Sequence, residues 1–121
     1  MTSTRVAMVN IDCADPAAMA TFWSAVLGWE IRYSAEEYSG LQGPDYVLAF
    51  GKIPDYQPPA WPNERGSKQF HLDLAVEDIA AEEQRCLSLG ATVASDQEEG
   101  QSWRVLIDPG GHPFCLTKPQ N

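Results

Sequence analysis

Apolar and polar residues alternate over residues 69–76, which predicts a half-buried strand. Its apolar side consists of Phe70, Leu72, Leu74 and Val76. On the other side His71 and Asp73 lie two residues apart, so an imidazole and a carboxylate point the same way. Asp78 is suited to cap a helix that ends near Gly90. The pattern therefore predicts a strand that leads directly into a helix.

The N-terminal half shows the same order of signals. Residues 5–13 alternate as a strand does, and Asp15 then precedes Pro16. Asp at the cap and Pro in the first helical position are typical of a helix start, where the missing N–H of proline costs nothing. Gly28 marks the helix end. The predicted apolar stripe of this helix is Met19, Phe22, Trp23, Val26 and Leu27.

Three further strands are predicted after each helix, with an acidic loop over 96–101 and a turn at 108–111. The two Asp caps and the two Gly ends recur at nearly the same spacing, which indicates a duplicated β-α-β-β-β unit. The fold class predicted is α+β. The strands are expected over 29–33, within 36–44 and over 45–50, and again over 91–95, 102–107 and 112–117.

A proline-rich segment, residues 52–68, separates the two halves. Such a segment favours a stiff connector over a helix or a central strand. It also carries Tyr56 and Trp61, aromatic residues that local structure does not require. We therefore expect a single domain with module 1 at about 5–51, the connector at 52–68 and module 2 at about 69–118.

Composition restricts the function classes. The net charge of −9 argues against a nucleic acid or an anionic membrane as partner, since both require clustered Lys and Arg. The N-terminus lacks the apolar core of a signal peptide, and no apolar run reaches membrane-spanning length. Three cysteines without a C-x-x-C pair indicate reduced thiols, and hence a cytoplasmic protein.

Three motifs resemble the vicinal oxygen chelate superfamily, which includes glyoxalase I, bleomycin-resistance proteins and extradiol dioxygenases. They are Asp15-Pro16 with Leu27-Gly28-Trp29, the run 71–78, and the run 108–116, which is similar to a D-P-x-G-N-x-x-E-L ending. The pattern is closest to the glyoxalase-like branch. The resemblance implies two βαβββ modules in tandem that form a cup-shaped mixed sheet, and a homodimer. It does not fix one activity, because this fold carries many chemistries.

Metal-dependent members of the superfamily take ligands, typically His and Glu, from the first and last strands of each module. The resemblance places the first-strand positions on Met8 and His71, and one last-strand position on Cys115. The remaining position falls within 48–50, where every residue is apolar. We therefore expect the usual metal site to be absent, and no cofactor is predicted. If a metal binds, His71 is its expected ligand.

His71 and Asp73 are the candidate catalytic residues. A carboxylate beside an imidazole fixes its tautomer, which suits a general base but equally suits a polar pair that orients a ligand. Asn10 and Asp12 mirror this pair in module 1 and are expected to add polar groups to the pocket. The other candidate ligand-binding residues are Phe50, Tyr56, Trp61, Trp103 and Cys115, the last either a core residue or a pocket thiol.

The leading hypothesis is a glyoxalase-like protein that binds a small, aromatic or hydrophobic molecule in the cup without the usual metal. The alternative is a metal-independent lyase or isomerase with His71 as general base. A less favoured alternative is a divalent-metal-dependent lyase or dioxygenase. The pair His71 and Asp73 fits the first two hypotheses equally well, so the sequence does not choose between them.

Overall fold

A computed structural model describes residues 3–61, 70–95, 97 and 102–119. The predictions made for 62–69 of the connector and second module, and for most of the acidic loop 96–101, lie outside these ranges. The chain divides into two compact units, Met1–Tyr56 and Gln57–Asn121. No helix in the described ranges has the length and apolar character that crossing a membrane requires.

Unit 1 is a four-stranded sheet with one helix. The first strand pairs in parallel with the last, and the other neighbouring strands run antiparallel, in the order β1-β4-β3-β2. The elements are β1 (Met8–Cys13), α1 (Pro16–Leu27), β2 (Glu30–Ser34), β3 (Tyr38–Gln42) and β4 (Val47–Lys52).

Unit 2 repeats this arrangement, with strand order β5-β8-β7-β6 and a parallel β5–β8 pair. The predicted α+β class and the duplicated βαβββ unit are therefore confirmed. β5 begins later than the alternation indicated, because pairing with β8 starts at Leu72, and Phe70 is 90% exposed. The elements are β5 (Leu72–Ala75), α2 (Ile79–Leu89), β6 (Thr92–Val93), β7 (Trp103–Ile107) and β8 (Pro113–Thr117).

Both helices begin and end where the sequence predicts. The carboxylate of Asp15 accepts a hydrogen bond from the backbone N–H of the third helical residue at 3.1 Å, and that of Asp78 does the same at 3.0 Å. Gly28 and Gly90 follow the helices with φ of 72° and 120°. The carboxylates of Asp15 and Asp78 thus satisfy N–H groups at the start of each helix that would otherwise lack partners.

Phe50 lies in the core of unit 1 rather than in a ligand site. Its partners in the sheet are Ile11 and Ser39, and the Ser39 hydroxyl donates to the carbonyl of Pro16 at the start of α1. The Phe50 side chain thus belongs to the helix-facing side of the sheet and is 0% exposed. The prediction that Phe50 contacts ligand is corrected for this reason.

The turn between β7 and β8 is built around a buried carboxylate. Asp108, 4% exposed, accepts hydrogen bonds from the backbone N–H groups of Gly110 at 2.8 Å and His112 at 2.9 Å. Gly111 adopts φ of 86°, and a Cβ added to it would collide with Cβ of Pro58. The connector therefore packs directly on this turn.

Replacing Gly111 with Ala should destabilise the protein more than replacing Gly28 with Ala. Both glycines have positive φ, which costs about 1 kcal/mol for a residue with a Cβ. A Cβ at Gly28 meets no atom within 4 Å, whereas one at Gly111 collides with Pro58. We expect Gly111→Ala to cost about 1–3 kcal/mol more in urea unfolding. Equal losses would show that the connector does not pack on the turn.

The thiol of Cys86 should make the stability depend on pH in the alkaline range. Burial in α2, with a smaller contribution from Glu82, raises the pKa of this thiol from 9.0 to about 11, while Arg85 lowers it. The folded state holds the proton more tightly, so this stabilisation is complete below pH 9 and is lost as the pH rises to about 11.

The free energy of unfolding of wild type relative to Cys86→Ala should therefore fall by about 2 kcal/mol between pH 9 and 11. Urea titrations at a series of pH values measure this difference. The comparison with Cys86→Ala removes the contribution of other groups that titrate in this range. A difference that stays constant with pH would contradict the prediction.

Candidate functional site

One face of the unit 2 sheet carries most of the predicted site residues, and we call it the site face. Register defines it: Asp73 on β5 pairs with Cys115 on β8, which pairs with Val105 on β7, and paired residues share a face. The opposite face packs on α2, where Arg104 of β7 donates to the carboxylate of Glu83 at 2.7 Å. Alternation along β7 adds Trp103 and Ile107 to the site face.

His71, Asp73 and Cys115 converge on the site face. Nε2 of His71 lies 3.2 Å from Oδ1 of Asp73. A nitrogen of His71, a carboxylate oxygen of Asp73 and Sγ of Cys115 all lie within 4.8 Å of one another. The side chains of His71 and Asp73 are 31% and 61% exposed, whereas Cys115 is 5% exposed. The thiol is therefore buried while the imidazole and the carboxylate reach solvent.

An apolar cluster adjoins these three residues. Ala94, Val105 and Cys115 are buried together, and Trp61 and Ile107 pack against them. The Trp61 ring also meets the His71 ring edge to face, with centroids 6.0 Å apart and an angle of 80° between the planes. The connector aromatic, the imidazole and the thiol, which lie far apart in sequence, are thus neighbours. Trp103 occupies the same face and is 44% exposed.

Gln97 supports the site face, a role that the sequence analysis did not predict. Its amide Nε2 donates to the carbonyls of Ala94 at 3.0 Å and Val105 at 2.6 Å. Its Oε1 accepts from the backbone N–H of Val105 at 3.2 Å. The side chain thus satisfies backbone groups of β7 beyond the short strand β6 and fixes Val105 beneath the site. A glutamine in an acidic segment belongs to no motif that would have indicated this role.

Unit 1 carries different chemistry at the equivalent positions. Its pairing of Asn10 with Ala49 corresponds to that of Asp73 with Cys115, and Met8 then corresponds to His71. Asn10 and Asp12 are exposed on β1, and Asn10 Nδ2 lies 3.7 Å from the Met8 sulfur. A thioether, an amide and a methyl group do not form the expected half of a two-module metal set. The residues of unit 1 do not fit that metal.

The remaining candidate, Tyr56, lies half-buried at the end of unit 1. The structure thus brings together His71, Asp73, Cys115 and Trp61 in unit 2, with Trp103 on the same face. It places Asn10, Asp12 and Tyr56 in unit 1. The described ranges contain one group of three or more His, Cys, Asp or Glu residues whose ligand atoms converge, and that group lies in unit 2.

Comparison of the sequence with known proteins shows its family. Residues 8–117 match the model of a glyoxalase-like domain. An uncharacterised protein of Mycobacterium bovis is 38% identical over 61 residues, which is 48% of this chain and 40% of that protein. The chain thus matches less than half the length of this relative.

Solved structures show the same fold at low sequence identity. A glyoxalase/bleomycin resistance protein/dioxygenase family enzyme from Burkholderia phytofirmans superposes with a TM-score of 0.69 at 21% identity, over 93% of this chain and 97% of that one. The bleomycin-binding protein of Streptomyces verticillus, solved with copper(II)-bleomycin, superposes with a TM-score of 0.62 at 17% identity, over 99% of this chain and 100% of that one.

The family model covers nearly all of the chain, and these neighbours share its duplicated βαβββ architecture. The chain belongs to the glyoxalase-like domain family, within the vicinal oxygen chelate superfamily.

Proposed function

We propose that the protein binds a small, aromatic or hydrophobic molecule on the site face of unit 2. The observation that carries this proposal is the position of Trp61, packed against the apolar cluster and edge-on to His71. An aromatic wall, an apolar floor and a few polar groups in one place are the usual composition of a small-molecule site.

In this proposal each side chain of the site has a separate role in binding the ligand. Trp61 and Ile107 provide apolar contact area. The indole ring of Trp61 can also stack with an aromatic ring of the ligand, which favours an aromatic molecule. His71 offers a hydrogen bond to a polar group of the ligand, and Asp73, 3.2 Å away, holds the imidazole in one orientation. The bleomycin-binding neighbour supports small-molecule binding by this fold, although its 17% identity does not transfer its ligand.

The wider setting is proposed from the sequence and the resemblance. We propose a cytoplasmic homodimer with neither nucleic acid nor membrane as partner, in keeping with the net charge of −9. Binding is proposed without the usual two-module metal set, because unit 1 offers Met8, Asn10 and Ala49 at the relevant positions.

A second candidate function is a metal-independent lyase or isomerase with His71 as general base. The contact between His71 and Asp73 favours it, because a carboxylate that orients an imidazole is a recurrent feature of general bases. The imidazole is also partly exposed, so a substrate can reach it. Binding alone and base catalysis thus use the same two side chains.

A neutral aromatic probe, N-phenyl-1-naphthylamine, should bind the site face and report it by a rise in fluorescence. Trp61→Ala should weaken this binding by about tenfold, the loss expected for removal of an aromatic contact at the centre of a site. Phe70→Ala is the matched control, since it removes an aromatic side chain that is 90% exposed. Similar losses in both variants, or no saturable binding, would overturn the proposal.

Deuterium exchange separates the two candidate functions. If His71 only orients the ligand, small α-hydroxyketones incubated with the protein in D₂O should keep their α-protons, as followed by NMR. If His71 is a base, exchange should occur in wild type and disappear in His71→Gln. His112→Gln changes the other histidine of the chain and should leave any exchange intact. Exchange that survives in His71→Gln would exclude the base hypothesis.

A further inference from the structure

We propose that the ligand of unit 2 has two aromatic parts, and that Trp103 binds the second part in an area separate from that of Trp61. This inference rests on the function proposed above, because it extends the same site and specifies the class of its ligand. We call the surroundings of Trp61 and His71 the Trp61 area, and the row of residues beside Trp103 the Trp103 area.

Three residues form the Trp103 area, and they lie in one row across the sheet. Trp103 on β7 pairs with Thr117 on β8, and Thr117 pairs with Ala75 on β5. Because paired residues share a face, all three lie on the site face. Ala75 follows Asp73 by two residues, which advance a strand by about 6–7 Å. The Trp103 area therefore begins one row beyond the carboxylate of Asp73.

The accessible part of the site face follows β5. The side chains of His71 and Asp73 are 31% and 61% exposed, and Ala75 is exposed as well. By contrast, Cys115 lies beside Asp73 on β8, is 5% exposed and belongs to the apolar cluster on which Trp61 packs. A ligand that contacts His71 therefore finds open surface along β5, in the direction of the row that contains Ala75.

The Trp103 area combines one large side chain with two small ones. Ala75 carries a methyl group and Thr117 is also small, whereas the indole of Trp103 is large and the residue is 44% exposed. The small side chains rise less from the sheet than the indole does, so the row has a low floor beside an aromatic ring. Because aromatic rings prefer stacked or edge-to-face contacts, this shape favours a second aromatic part of the ligand.

Asp73 determines the chemistry between the two aromatic parts. Its Oδ1 lies 3.2 Å from Nε2 of His71, and its side chain is 61% exposed between the two areas. An ionised carboxylate accepts hydrogen bonds and donates none, and it repels an anion. The ligand class is therefore a neutral or cationic molecule with two aromatic parts joined through an N–H or O–H group.

Two neutral amines that differ by one ring test the proposal. 1-Naphthylamine has one aromatic part, whereas N-phenyl-1-naphthylamine carries a second ring on the same nitrogen. In fluorescence titrations of the full chain, the two-ring amine should bind wild type at least about tenfold more tightly, because it buries more apolar surface. Trp103→Ala should weaken the two-ring amine by about tenfold and leave 1-naphthylamine unchanged, while Trp61→Ala should weaken both.

Substitution of Ala75 tests the same area without removal of an aromatic residue. Ala75 is exposed, so Ala75→Leu raises the floor of the Trp103 area without disturbing the core. It should weaken the two-ring amine by about fivefold or more, because the larger side chain occupies the space of the second ring. Ala75→Ser is the matched control, since it keeps the floor low, and it should leave the binding of both amines unchanged.

1-Phenoxynaphthalene tests the predicted hydrogen-bond donor. It replaces the bridging N–H by an oxygen atom that cannot donate, so Asp73 loses its proposed partner. Measured by displacement of the two-ring amine, it should bind wild type about three- to tenfold more weakly, a modest loss because the carboxylate is largely exposed to water. Asp73→Ala should remove this difference.

The outcomes separate this inference from the function on which it rests. Equal effects of Trp103→Ala on the two amines, or full binding of the two-ring amine by Ala75→Leu, would overturn the inference and leave the proposed function intact. Equal binding of the amine and the ether would exclude the donor. If Trp103→Ala does not fold, Ala75→Leu decides, because it changes an exposed residue. Failure of both amines to bind wild type would overturn the proposed function and this inference together.

Discussion

The parallel pairing of the first and last strands of each unit is the constraint on which the rest depends. It sets β1 beside β4 and β5 beside β8, and the intervening chain of each unit crosses over through one helix and two further strands. Because side chains alternate along each strand, one register decides which residues face the helix and which form the other face. A shift of one residue in β5 would turn both His71 and Asp73 toward α2 and remove the site.

The same backbone carries different chemistry in the two units. Asn10 and Ala49 in unit 1 occupy the paired positions that Asp73 and Cys115 occupy in unit 2. Duplication therefore preserved the strand pairing and the caps of the helices, while the side chains of one face diverged. The converging imidazole, carboxylate and thiol lie in unit 2, so the proposed site belongs to one half of the chain rather than to its symmetry.

Local patterns in the sequence were sufficient to predict the helices and strands. They were not sufficient to predict which face of the sheet each strand residue occupies. Caps such as Asp15 and Asp78 act within one helical turn, so the chain reveals them directly. Phe50 lies in a run of apolar residues without alternation, so only its pairing with Ile11 assigns it to the core. The meeting of Cys115 with Asp73 is likewise a long-range pairing, which periodicity along one strand cannot predict.

The place of Trp61 depends on a turn that is distant from it in sequence. The buried carboxylate of Asp108 closes the β7–β8 turn and sets Gly111 at positive φ, where the absent Cβ leaves room for Pro58. Pro58 lies three residues before Trp61, and prolines stiffen this segment, so its contact with the turn restricts where the indole ring can lie. The aromatic wall of the site thus depends on the turn at the start of β8, the end of the sheet at which β5 begins just after His71. In the proposed ligand site, the β7–β8 turn would therefore act on the ligand through the position of Trp61.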